Sequence, residues 1–535
     1  MSALLQDGIS AQAERQADAL AIVMGDEQVT YGELEEQSNR LARLLRGAGV
    51  KRGDRVCLLM PKSPAVVVAM LGVLKANAVY VPLDSASPGP RVGKMIASCD
   101  DRWILAADPA GHVLDELFGD ATFRDAHAVG WLSSTSAGDR PFTPQFTADD
   151  LELYPPVAPD RQNGADEPAH ILFTSGSTGV PKGVVITHRN VLSFLKWARD
   201  YFGTCPSDRI SWHPPLHFDL STFDVFGTLH AGARLYPVGA ELSLLPHKLA
   251  QFIRDAKLTQ WFSVPSVLNY IAKFAVLRDG DFPALRRVLW CGEVLPTPTL
   301  MYWMQRLPRV SFTNLYGPTE ATIASSYYTP PQCPTDERAE IPIGRACEGE
   351  ELLVLDEALR PVRPGEVGDL YIAGPGLSPG YWRDPGKTRS AFVAHPRGTS
   401  PDQRTYKTGD LARVGTDGLV YYVGRADTQI KSRGYRIELG EVEAALHTLG
   451  CLRECGVVAV PSEGFEGMTI CCAYVPDRAG TVTAVVLREA LAKLVPHYMQ
   501  PSRWLDLDAL PRNANGKIDR PRLRDAFSEV GARVE

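Results

Sequence analysis

A glycine- and hydroxyl-rich segment constrains this chain more than any other feature. Residues 171–183 read ILFTSGSTGVPKG, an apolar, strand-like run followed by four hydroxyl side chains, three glycines and a lysine. Glycines let main-chain N–H groups turn toward an anion, hydroxyls donate further hydrogen bonds, and the lysine supplies charge. The spacing differs from the Walker A pattern, because Lys182 follows Pro181 and precedes Gly183. The segment predicts a phosphate-binding loop, with a flexible surface loop as the alternative; its candidate ligands are Thr174, Ser175, Gly176, Ser177, Thr178 and Lys182.

Strand-like and helix-like segments alternate around this loop, which predicts an α/β fold. The strand-like runs are 55–60, 78–82, 170–173 and 287–290, and the amphipathic, helix-like stretches are 32–48, 63–76 and 188–200. Ser63 followed by Pro64 suits a helix start, with a capping hydroxyl and a proline at the first position. Alternation of this kind predicts largely parallel sheets covered by helices.

The pattern changes twice toward the C-terminus. Residues 351–423 become short strands with Gly/Pro turns, which indicates a β-rich, more antiparallel subdomain. From residue 437 a helix (440–448), two strands (455–460 and 468–475) and a helix (483–494) predict a small separate α+β domain. We therefore predict a large N-terminal domain of parallel-rich sheets plus a β-rich subdomain, residues 1–426, and a C-terminal domain, residues 427–535.

Size and composition agree with a multidomain enzyme and exclude other classes. The 535 residues exceed one ordinary domain, and 44% hydrophobic with 22% charged residues is ordinary for a soluble globular protein. A net charge of −7 argues against nonspecific nucleic-acid binding. We expect no membrane span and no signal peptide, hence a cytoplasmic location. The ten scattered cysteines form no paired C-x-x-C motifs, so we expect reduced thiols rather than a zinc site.

Six further motifs follow one another in a defined order. They are 30–34 (TYGEL), 314–321 (NLYGPTEA), 368–381 (GDLYIAGPGLSPGY), 406–411 (YKTGDL), 424–438 (GRADTQIKSRGYRIE) and 510–519 (LPRNANGKID). With the phosphate-binding loop, the series resembles the core motifs of adenylate-forming enzymes. It is most similar to adenylation domains of nonribosomal peptide synthetases and to D-alanine–carrier protein ligases. The resemblance covers nearly the whole chain, and motifs in this order are highly specific.

The resemblance implies an ATP site with Mg²⁺ and assigns residues to it. The nucleotide contacts would be Asn314, Tyr316, Gly317, Asp410 and Arg425. Asp410 would accept hydrogen bonds from both ribose hydroxyls, and Tyr316 would offer an aromatic face to adenine. Glu320 would be the Mg²⁺ carboxylate and Thr319 a phosphate contact. The structural alternatives are a helix start for Glu320, a turn for Asp410 and core packing for Tyr316.

The resemblance also implies two half-reactions that share one site. In the first, Lys517 would bridge the substrate carboxylate and the α-phosphate; an exposed lysine in a Gly-Lys turn is the alternative. In the second, the C-terminal domain would rotate about Asp427, and Gly434 would approach the arm of a phosphopantetheine thiol. Because the chain stops soon after its last motif, we expect the carrier protein to come in trans. The basic residues of 425–436 and 512–524 would suit an acidic carrier or form an ordinary solvated surface.

The segment 217–226 (HFDLSTFDVF) resembles the start of the family's acyl pocket. Asp219 occupies the place of the aspartate that pairs with the α-ammonium group of an amino-acid substrate. Acids without that group give no reason to bury a carboxylate there. The other predicted pocket residues are His217, Phe218, Leu220, Phe223, Ser263, Leu289, Cys291, Gly292, Leu315, Ile323 and Ala324. The lining is mostly apolar and leaves little volume, so we predict a small apolar amino acid, alanine first, then glycine, 2-aminobutyrate or proline.

Three functions are compatible with these observations. The first is an amino-acid adenylation enzyme that loads a carrier protein, in antibiotic, other natural-product or cell-envelope biosynthesis. The second is an acyl- or aryl-CoA ligase of the same superfamily, against which Asp219 argues. The third is a noncatalytic scaffold, against which the intact Lys517, Glu320 and Asp410 argue. The sequence leaves the enantiomer, the carrier and the pathway open.

Overall fold

A computed structural model describes residues 3–133, 135, 137–176, 180–400, 403–462, 467–478, 482–513 and 517–531 of the chain. These residues divide into two compact units. The first contains the residues up to Ser85, Ile96–Phe173 and Gly183–Ala426. The second contains Ala86–Met95, Thr174–Lys182 and the residues from Asp427 onward. The last division between the units falls after Ala426, and two short N-terminal segments group with the C-terminal residues. The domains 1–426 and 427–535 stay a prediction.

A nine-stranded sheet in the first unit carries many of the predicted site residues. Its central strands pair in parallel, and antiparallel strands close both edges. In spatial order the strands are Arg345–Ala346, Ser326–Tyr328, Ser311–Tyr316, Arg287–Cys291, Gln260–Ser263, Arg209–Trp212, Arg234–Pro237, Leu20–Met24 and Glu27–Thr30. The parallel centre confirms the sheet type that the alternating pattern predicts.

An eight-stranded sheet contains the predicted strands 55–60, 78–82 and 170–173. Its spatial order is Gly380–Tyr381, Lys182–Thr187, Pro168–Thr174, Val79–Pro82, Arg55–Leu59, Trp103–Ala106, Ala128–Trp131 and Phe146–Thr147. Pairing is parallel from the strand Pro168–Thr174 to the far edge. The phosphate-binding segment therefore does follow a buried strand of a parallel sheet, as its apolar start predicts.

The β-rich part of the first unit is antiparallel, as predicted for residues 351–423. Its strands are Glu351–Leu355, Val367–Ala373, Arg404–Val414, Phe392–Ala394 and Val420–Arg425. The long strand Arg404–Val414 pairs with three neighbours and contains the predicted Asp410. Asp410 thus lies in a strand rather than in a turn.

Helices cover the sheets of the first unit, and their starts follow local sequence signals. Ser63 caps the helix Pro64–Lys75 by accepting from the Val66 N–H, with Pro64 at the first position, which confirms the predicted start. The helices are Leu5–Arg15, Tyr31–Gly47, Pro64–Lys75, Gly111–Phe118, Ala121–Ala126, His188–Phe202, Asp219–Thr222, Thr228–His230, Pro246–Asp255, Pro265–Lys273, Thr297–Arg306 and Pro385–Ala391; Gly89–Cys99 spans both units. Shorter 3₁₀ turns are Ala148–Leu153, Leu242–Leu244 and Thr319–Ala321, and Phe223–Gly227 is a π-helix.

The second unit is an α+β arrangement of its own. It contains the hairpin Gln429–Ser432 and Tyr435–Glu438, the sheet Leu452–Pro461, Met468–Pro476 and Arg503–Asp506, the helices Leu439–His447, Ala484–Leu491 and Arg520–Gly531, and the 3₁₀ turn His497–Met499. The sheet packs one face on the helices at 439 and 484 and the other on the helix at 520. In the part of the chain that the structure describes, we find no helix long and apolar enough to cross a membrane.

A buried charge cluster joins three strands of the nine-stranded sheet. Asp208 has a fully buried side chain and accepts from Arg287 at 3.0 Å and from the main-chain N–H of Cys205 at 3.1 Å. Arg286 and the Thr259 hydroxyl also donate to it. Burial raises the pKa of Asp208, but the hydrogen bond from Thr259 and the two arginines outweigh it and lower the pKa. Its carboxylate therefore stabilises the fold above its ordinary pKa, and this contribution is lost as the pH falls through the lowered value.

Removing that charge is expected to destabilise the first unit. Asp208→Asn leaves two arginines without their counter-ion, which costs about 3 kcal/mol for a buried pair. Urea titration followed by tryptophan fluorescence would show a first transition at a lower urea concentration. Between pH 5 and 3 the free energy of unfolding of the variant should fall less than that of the parent protein. The matched control is Asp166→Asn, which removes an exposed partner of Arg189. Equal midpoints for Asp208→Asn and the parent would contradict the prediction.

Candidate active site

Three predicted nucleotide residues meet in the first unit. Asp410 and Arg425 face each other on paired antiparallel strands. The Tyr316 hydroxyl donates to Asp410 Oδ2 at 2.5 Å, and Arg425 Nη1 donates to Oδ1 at 2.9 Å. Arg425 Nη1 also donates to the Thr408 carbonyl at 2.9 Å, and the Thr408 hydroxyl accepts from the Asp410 N–H at 3.0 Å. The structure thus brings together residues that are far apart in sequence, and adds Thr408, which we did not predict.

The electrostatics of this cluster keep its donors and acceptor in fixed roles. Burial and the neighbouring Asp410 charge raise the pKa of Tyr316 well above its ordinary value, so its hydroxyl stays protonated and donates. Each oxygen of a carboxylate has a second acceptor site beyond the one that Tyr316 or Arg425 uses. Asp410 can therefore accept two further hydrogen bonds, as a vicinal diol requires.

Asn314 and Gly317, which the sequence predicts as nucleotide contacts, both have a structural role in the fold. Asn314 Nδ2 donates to the Pro342 carbonyl at 2.8 Å, so its amide nitrogen anchors a neighbouring segment. A Cβ at Gly317 would lie 2.6 Å from the Cα of Ala324, so the glycine is required by close packing of two main chains. Both residues lie beside Tyr316 in the chain, and their assignment to ATP stays a prediction.

Glu320 lies in the short 3₁₀ turn Thr319–Ala321 and is fully buried. The Tyr381 hydroxyl donates to its Oε1 at 2.8 Å, and its carbonyl accepts from the Ser378 N–H at 2.9 Å. Thr319 beside it is partly exposed. A hydroxyl donor orients a carboxylate without neutralising its charge, which suits a Mg²⁺ ligand. Tyr381 was missed as a site residue, although the motif 368–381 ends on it.

The two residues after this turn have a strained backbone. Thr322 has φ of 57° and Ile323 has φ of 72°, in the left-handed region that β-branched residues rarely occupy. The Thr322 hydroxyl donates to the Gly376 carbonyl at 2.6 Å, and the Gly376 N–H donates to Glu350 Oε1 at 2.8 Å. Strain of this kind persists where surrounding contacts hold it, often at functional sites. Here it sets the direction of Ile323, a predicted pocket residue.

The predicted acyl-pocket residues belong to one part of the first unit. Asp219 is the first residue of the helix Asp219–Thr222 and is 9% exposed. Cys291 and Leu315 are neighbours on paired strands. The apolar residues predicted for the pocket all belong to one large hydrophobic cluster: Leu220, Phe223, Leu289, Cys291, Leu315, Ile323 and Ala324. His217 and Phe218 are partly exposed, with ring centroids 5.0 Å apart, and Gly292 has a positive φ of 102°.

Ser263 has its hydroxyl engaged within the protein. Trp261 Nε1 donates to its Oγ at 3.0 Å, and the hydroxyl donates to the Val264 carbonyl at 3.3 Å. Its side chain is completely buried. This geometry favours a structural role for Ser263, so its place in the pocket lining stays a prediction.

The described part of the predicted phosphate-binding loop, Thr174–Gly176 and Val180–Lys182, lies in the second unit. The Thr174 hydroxyl is buried without a hydrogen-bond partner among the described residues, which suits a ligand donor. The Ser175 hydroxyl donates to the Arg436 carbonyl at 2.7 Å, and the Gly176 N–H donates to Glu441 Oε2 at 3.3 Å. Lys182 begins the strand Lys182–Thr187. The predicted ligands Ser177 and Thr178 lie outside the described residues.

The remaining predicted residues are in the same unit. Lys517 is exposed, and its N–H donates to Asn513 Oδ1 at 3.1 Å. Asp427 is also exposed, and its Oδ1 accepts from the Gln429 N–H at 3.0 Å. Gly434 has φ of 80° and the preceding Arg433 φ of 53°, the two positive values of a tight hairpin turn. Local turn geometry therefore accounts for the glycine, independently of a pantetheine tunnel.

Comparison with protein families and solved structures agrees with this arrangement. Residues 9–382 match the model of the AMP-binding enzymes, and residues 441–517 match the AMP-binding enzyme C-terminal domain. The chain belongs to the AMP-binding enzyme family. The predicted resemblance to adenylate-forming enzymes, the fold class and the enzyme class, an AMP-forming ligase, are thereby confirmed, and ATP is the nucleotide that the family uses.

Three relatives illustrate the similarity. An L-proline--[L-prolyl-carrier protein] ligase of Streptomyces coelicolor is 35% identical over 94% of this chain and 92% of its own. A dimodular nonribosomal peptide synthase of Bacillus subtilis is 37% identical over 97% of this chain, which spans only 21% of that protein. The adenylation domain AlmE of Vibrio cholerae, solved with glycyl-adenosine-5′-phosphate, is 27% identical with a TM-score of 0.84 over 98% of both chains.

Proposed function

We propose that the protein activates a small apolar α-amino acid with ATP and transfers it, through an aminoacyl-AMP, to the phosphopantetheine thiol of a carrier protein. The observation that carries this proposal is Asp219, a carboxylate that is 9% exposed at the start of a helix beside apolar residues. By the resemblance, an aspartate at this place pairs with the α-ammonium group of an amino-acid substrate. A fatty or aryl acid has no such group and gives no reason to place a carboxylate there.

The walls of the pocket support a small side chain. Phe223 and Leu289 are large and almost completely buried, and Phe223 packs edge-on against Phe262 at 5.7 Å between ring centroids. Apart from Asp219, the predicted lining holds no carboxylate, lysine or arginine that would pair with a charged side chain. Alanine is the first candidate, followed by glycine, 2-aminobutyrate and proline. The glycyl adenylate bound to AlmE and the proline ligase both fit this size range.

ATP and Mg²⁺ have matching groups in the first unit. Asp410 would hold the ribose hydroxyls, and Tyr316 would lie against adenine. Glu320 would hold Mg²⁺, since its buried carboxylate is oriented by the Tyr381 hydroxyl. The ion would reduce the negative charge of the phosphates when the carboxylate of the amino acid attacks. Thr319 and Arg425 would donate hydrogen bonds to the nucleotide.

The C-terminal residues would serve the two half-reactions in turn. Lys517 would neutralise charge that develops on the α-phosphate during adenylation. Asp427 would be the hinge for the change to thioester formation, since it is exposed and begins the C-terminal stretch of the second unit. The basic segments 425–436 and 512–524 would receive an acidic carrier protein.

ATP–pyrophosphate exchange with purified protein tests the proposal. The panel contains L- and D-alanine, glycine, 2-aminobutyrate, proline and β-alanine, with propionate, benzoate and a fatty acid as acids that lack the α-ammonium group. We expect the fastest exchange with an alanine and at most about 1% of that rate with propionate, since losing a buried charge pair costs several kcal/mol. Exchange driven only by acids without an amino group would favour the CoA-ligase function. No exchange with any acid would favour a noncatalytic scaffold.

Transfer requires a second measurement. Loading of a separately purified holo-carrier protein would be followed by intact-mass spectrometry, with free CoA as the competing acceptor. If the carrier protein is acylated while free CoA at the same concentration is not, the result would support the carrier thiol as the acceptor. Faster acylation of CoA than of the carrier would contradict it.

A further inference from the structure

Glu350 carries a carboxyl group that the proposed reaction does not use. It comes directly before the strand Glu351–Leu355, and its Oε1 accepts from the Gly376 N–H at 2.8 Å. Its Oε2 is buried and has no hydrogen-bond partner among the described residues. Nearly all buried polar atoms are hydrogen-bonded, so an exception requires an explanation. The fold tolerates this cost at a position where the other oxygen of the same group holds Gly376.

Gly376 connects Glu350 to the strained turn that begins at Thr322. The glycine is buried, and a Cβ there would lie 2.9 Å from Glu350 Oε1 and 2.8 Å from the Ala321 carbonyl oxygen. A side chain at this position would therefore push the neighbouring segments apart. While the Gly376 N–H binds Glu350, the Gly376 carbonyl accepts from the Thr322 hydroxyl at 2.6 Å. A single residue thus transmits the position of a carboxyl group to the turn.

The turn sets the direction of Ile323, a predicted pocket residue. Thr322 and Ile323 have φ of 57° and 72°, and they are 2% and 1% exposed. A left-handed backbone at β-branched residues costs free energy and persists only where other contacts hold it. The hydrogen bond from Thr322 to Gly376 is such a contact. Glu320, before the same turn, has a hydrogen bond of its own from Tyr381, so the contact at Thr322 bears chiefly on the pocket.

The segment around Gly376 has a second anchor that does not depend on Glu350. Asn190 Nδ2 donates to the carbonyl of Pro375 at 2.7 Å and to that of Leu377 at 3.0 Å. Removal of the Glu350 side chain would therefore loosen the segment without detaching it. The consequence that we expect is a pocket wall held less firmly, in a protein that still folds.

Glu350 can hold Gly376 in either of its protonation states. Burial raises the pKa of Glu350 to about 7, and the hydrogen bond from Gly376 opposes that shift. Both the carboxylic acid and the carboxylate have an oxygen that accepts from the Gly376 N–H, and so does the amide of glutamine. Glu350→Gln therefore keeps the contact and removes the charge, whereas Glu350→Ala removes both.

We propose that Glu350 is a positioning residue for substrate selection, which acts through Gly376 and the strained turn on Ile323. The inference rests on the proposed function, because it assigns Ile323 to the amino-acid pocket. It predicts an effect on the choice between amino acids of different size rather than on ATP. A purely structural Glu350 would lower stability and leave that choice unchanged.

The test compares Glu350→Ala, Glu350→Gln and Thr322→Val in the exchange assay. Each variant is measured with the preferred amino acid and with its homologue one methylene larger; for alanine this is 2-aminobutyrate. We expect Glu350→Ala to lower the ratio of the two kcat/KM values about tenfold, because one methylene in a well-defined pocket changes this value about 10–200-fold. Thr322→Val removes the hydroxyl and keeps the shape, so the ratio should fall similarly. Glu350→Gln should retain the ratio within about twofold, and the KM for ATP should change less than about twofold throughout.

Two further variants isolate the connection through Gly376. The double variant of Glu350→Ala and Thr322→Val should lower the ratio no further than the larger single effect, because both substitutions break one connection. Glu351→Ala is the matched control, since this adjacent carboxylate has a side chain that is 42% exposed and pairs with Arg397. It should leave the ratio unchanged.

Four results would count against the inference. An unchanged ratio in folded Glu350→Ala would overturn it, and equal losses in Glu350→Ala and Glu350→Gln would overturn the role of the hydrogen bond. Multiplicative effects in the double variant would overturn the shared connection. If Glu350→Ala does not fold, Thr322→Val decides, since an unchanged ratio there overturns the inference as well. Wild-type protein without any amino-acid exchange would overturn the proposed function together with this inference, whereas active wild type with unchanged ratios in the variants overturns this inference alone.

Discussion

Lys517→Ala is expected to lower amino-acid-dependent ATP–pyrophosphate exchange about a thousandfold, the upper range for removing one group that stabilises transition-state charge. Two anions react in this step, so a cation at the α-phosphate is worth more in the transition state than in the ground state. The side chain is exposed, so we expect its loss to remove little packing from the second unit. The melting temperature should therefore stay unchanged.

A second assay separates the two half-reactions of this variant. When chemically prepared aminoacyl-AMP is supplied, transfer to a holo-carrier should proceed within about threefold of the wild-type rate, since the adenylation step is bypassed. Lys493→Ala, an exposed lysine of the same unit, is the control and should retain full exchange. A loss of less than about tenfold in exchange for Lys517→Ala would contradict the assigned role.

Asp219→Ala is expected to lower kcat/KM for the preferred amino acid at least about a hundredfold, because truncating one member of a buried charge pair costs about 2–5 kcal/mol. The α-ammonium group would then be buried without a counter-charge. The KM for ATP should change little, since the Asp410 cluster is built from other strands.

Propionate gives this prediction a second readout. Propionate has the shape of alanine without the ammonium group, so in the variant it buries no unpaired charge. The variant should therefore use propionate at least as well as the wild-type protein does. The ratio of the rates for alanine and propionate should therefore fall about a hundredfold. Equal losses with both acids would show that Asp219 supports the fold rather than recognising the substrate.

Local signals in the sequence were sufficient for much of the fold. The start of the helix at Ser63 and Pro64 follows from the capping hydroxyl and the proline at the first position. The buried strands were predicted because their apolar runs have the length of strands. The helix Ala484–Leu491 is shorter than the predicted 483–494, because its last predicted turn is not helical. The strand Arg503–Asp506 and the helix Arg520–Gly531 were not predicted, since their patterns are weak without the neighbours they pack on.

The contacts of the candidate site depend on pairs that are distant in sequence. Tyr316 and Asp410 are 94 residues apart, and Glu320 and Tyr381 are 61 residues apart. The motif resemblance predicted three of these four residues individually, but not the hydrogen bonds that join them. Only the fold brings the strands into register.

The strained turn at Thr322 and Ile323 affects how the substrate range of this enzyme can be changed. Glycine or asparagine at position 323 would relieve a left-handed backbone that isoleucine tolerates poorly. Random mutagenesis of the predicted pocket would therefore select glycine or asparagine at position 323 because they stabilise the fold. An increase in stability could then be mistaken for a change in substrate selectivity. Libraries aimed at larger amino acids are better directed at the proposed pocket residues Leu220 and Phe223, whose helical backbone accepts most side chains. Position 323 is the better choice for compensating the stability that those replacements remove.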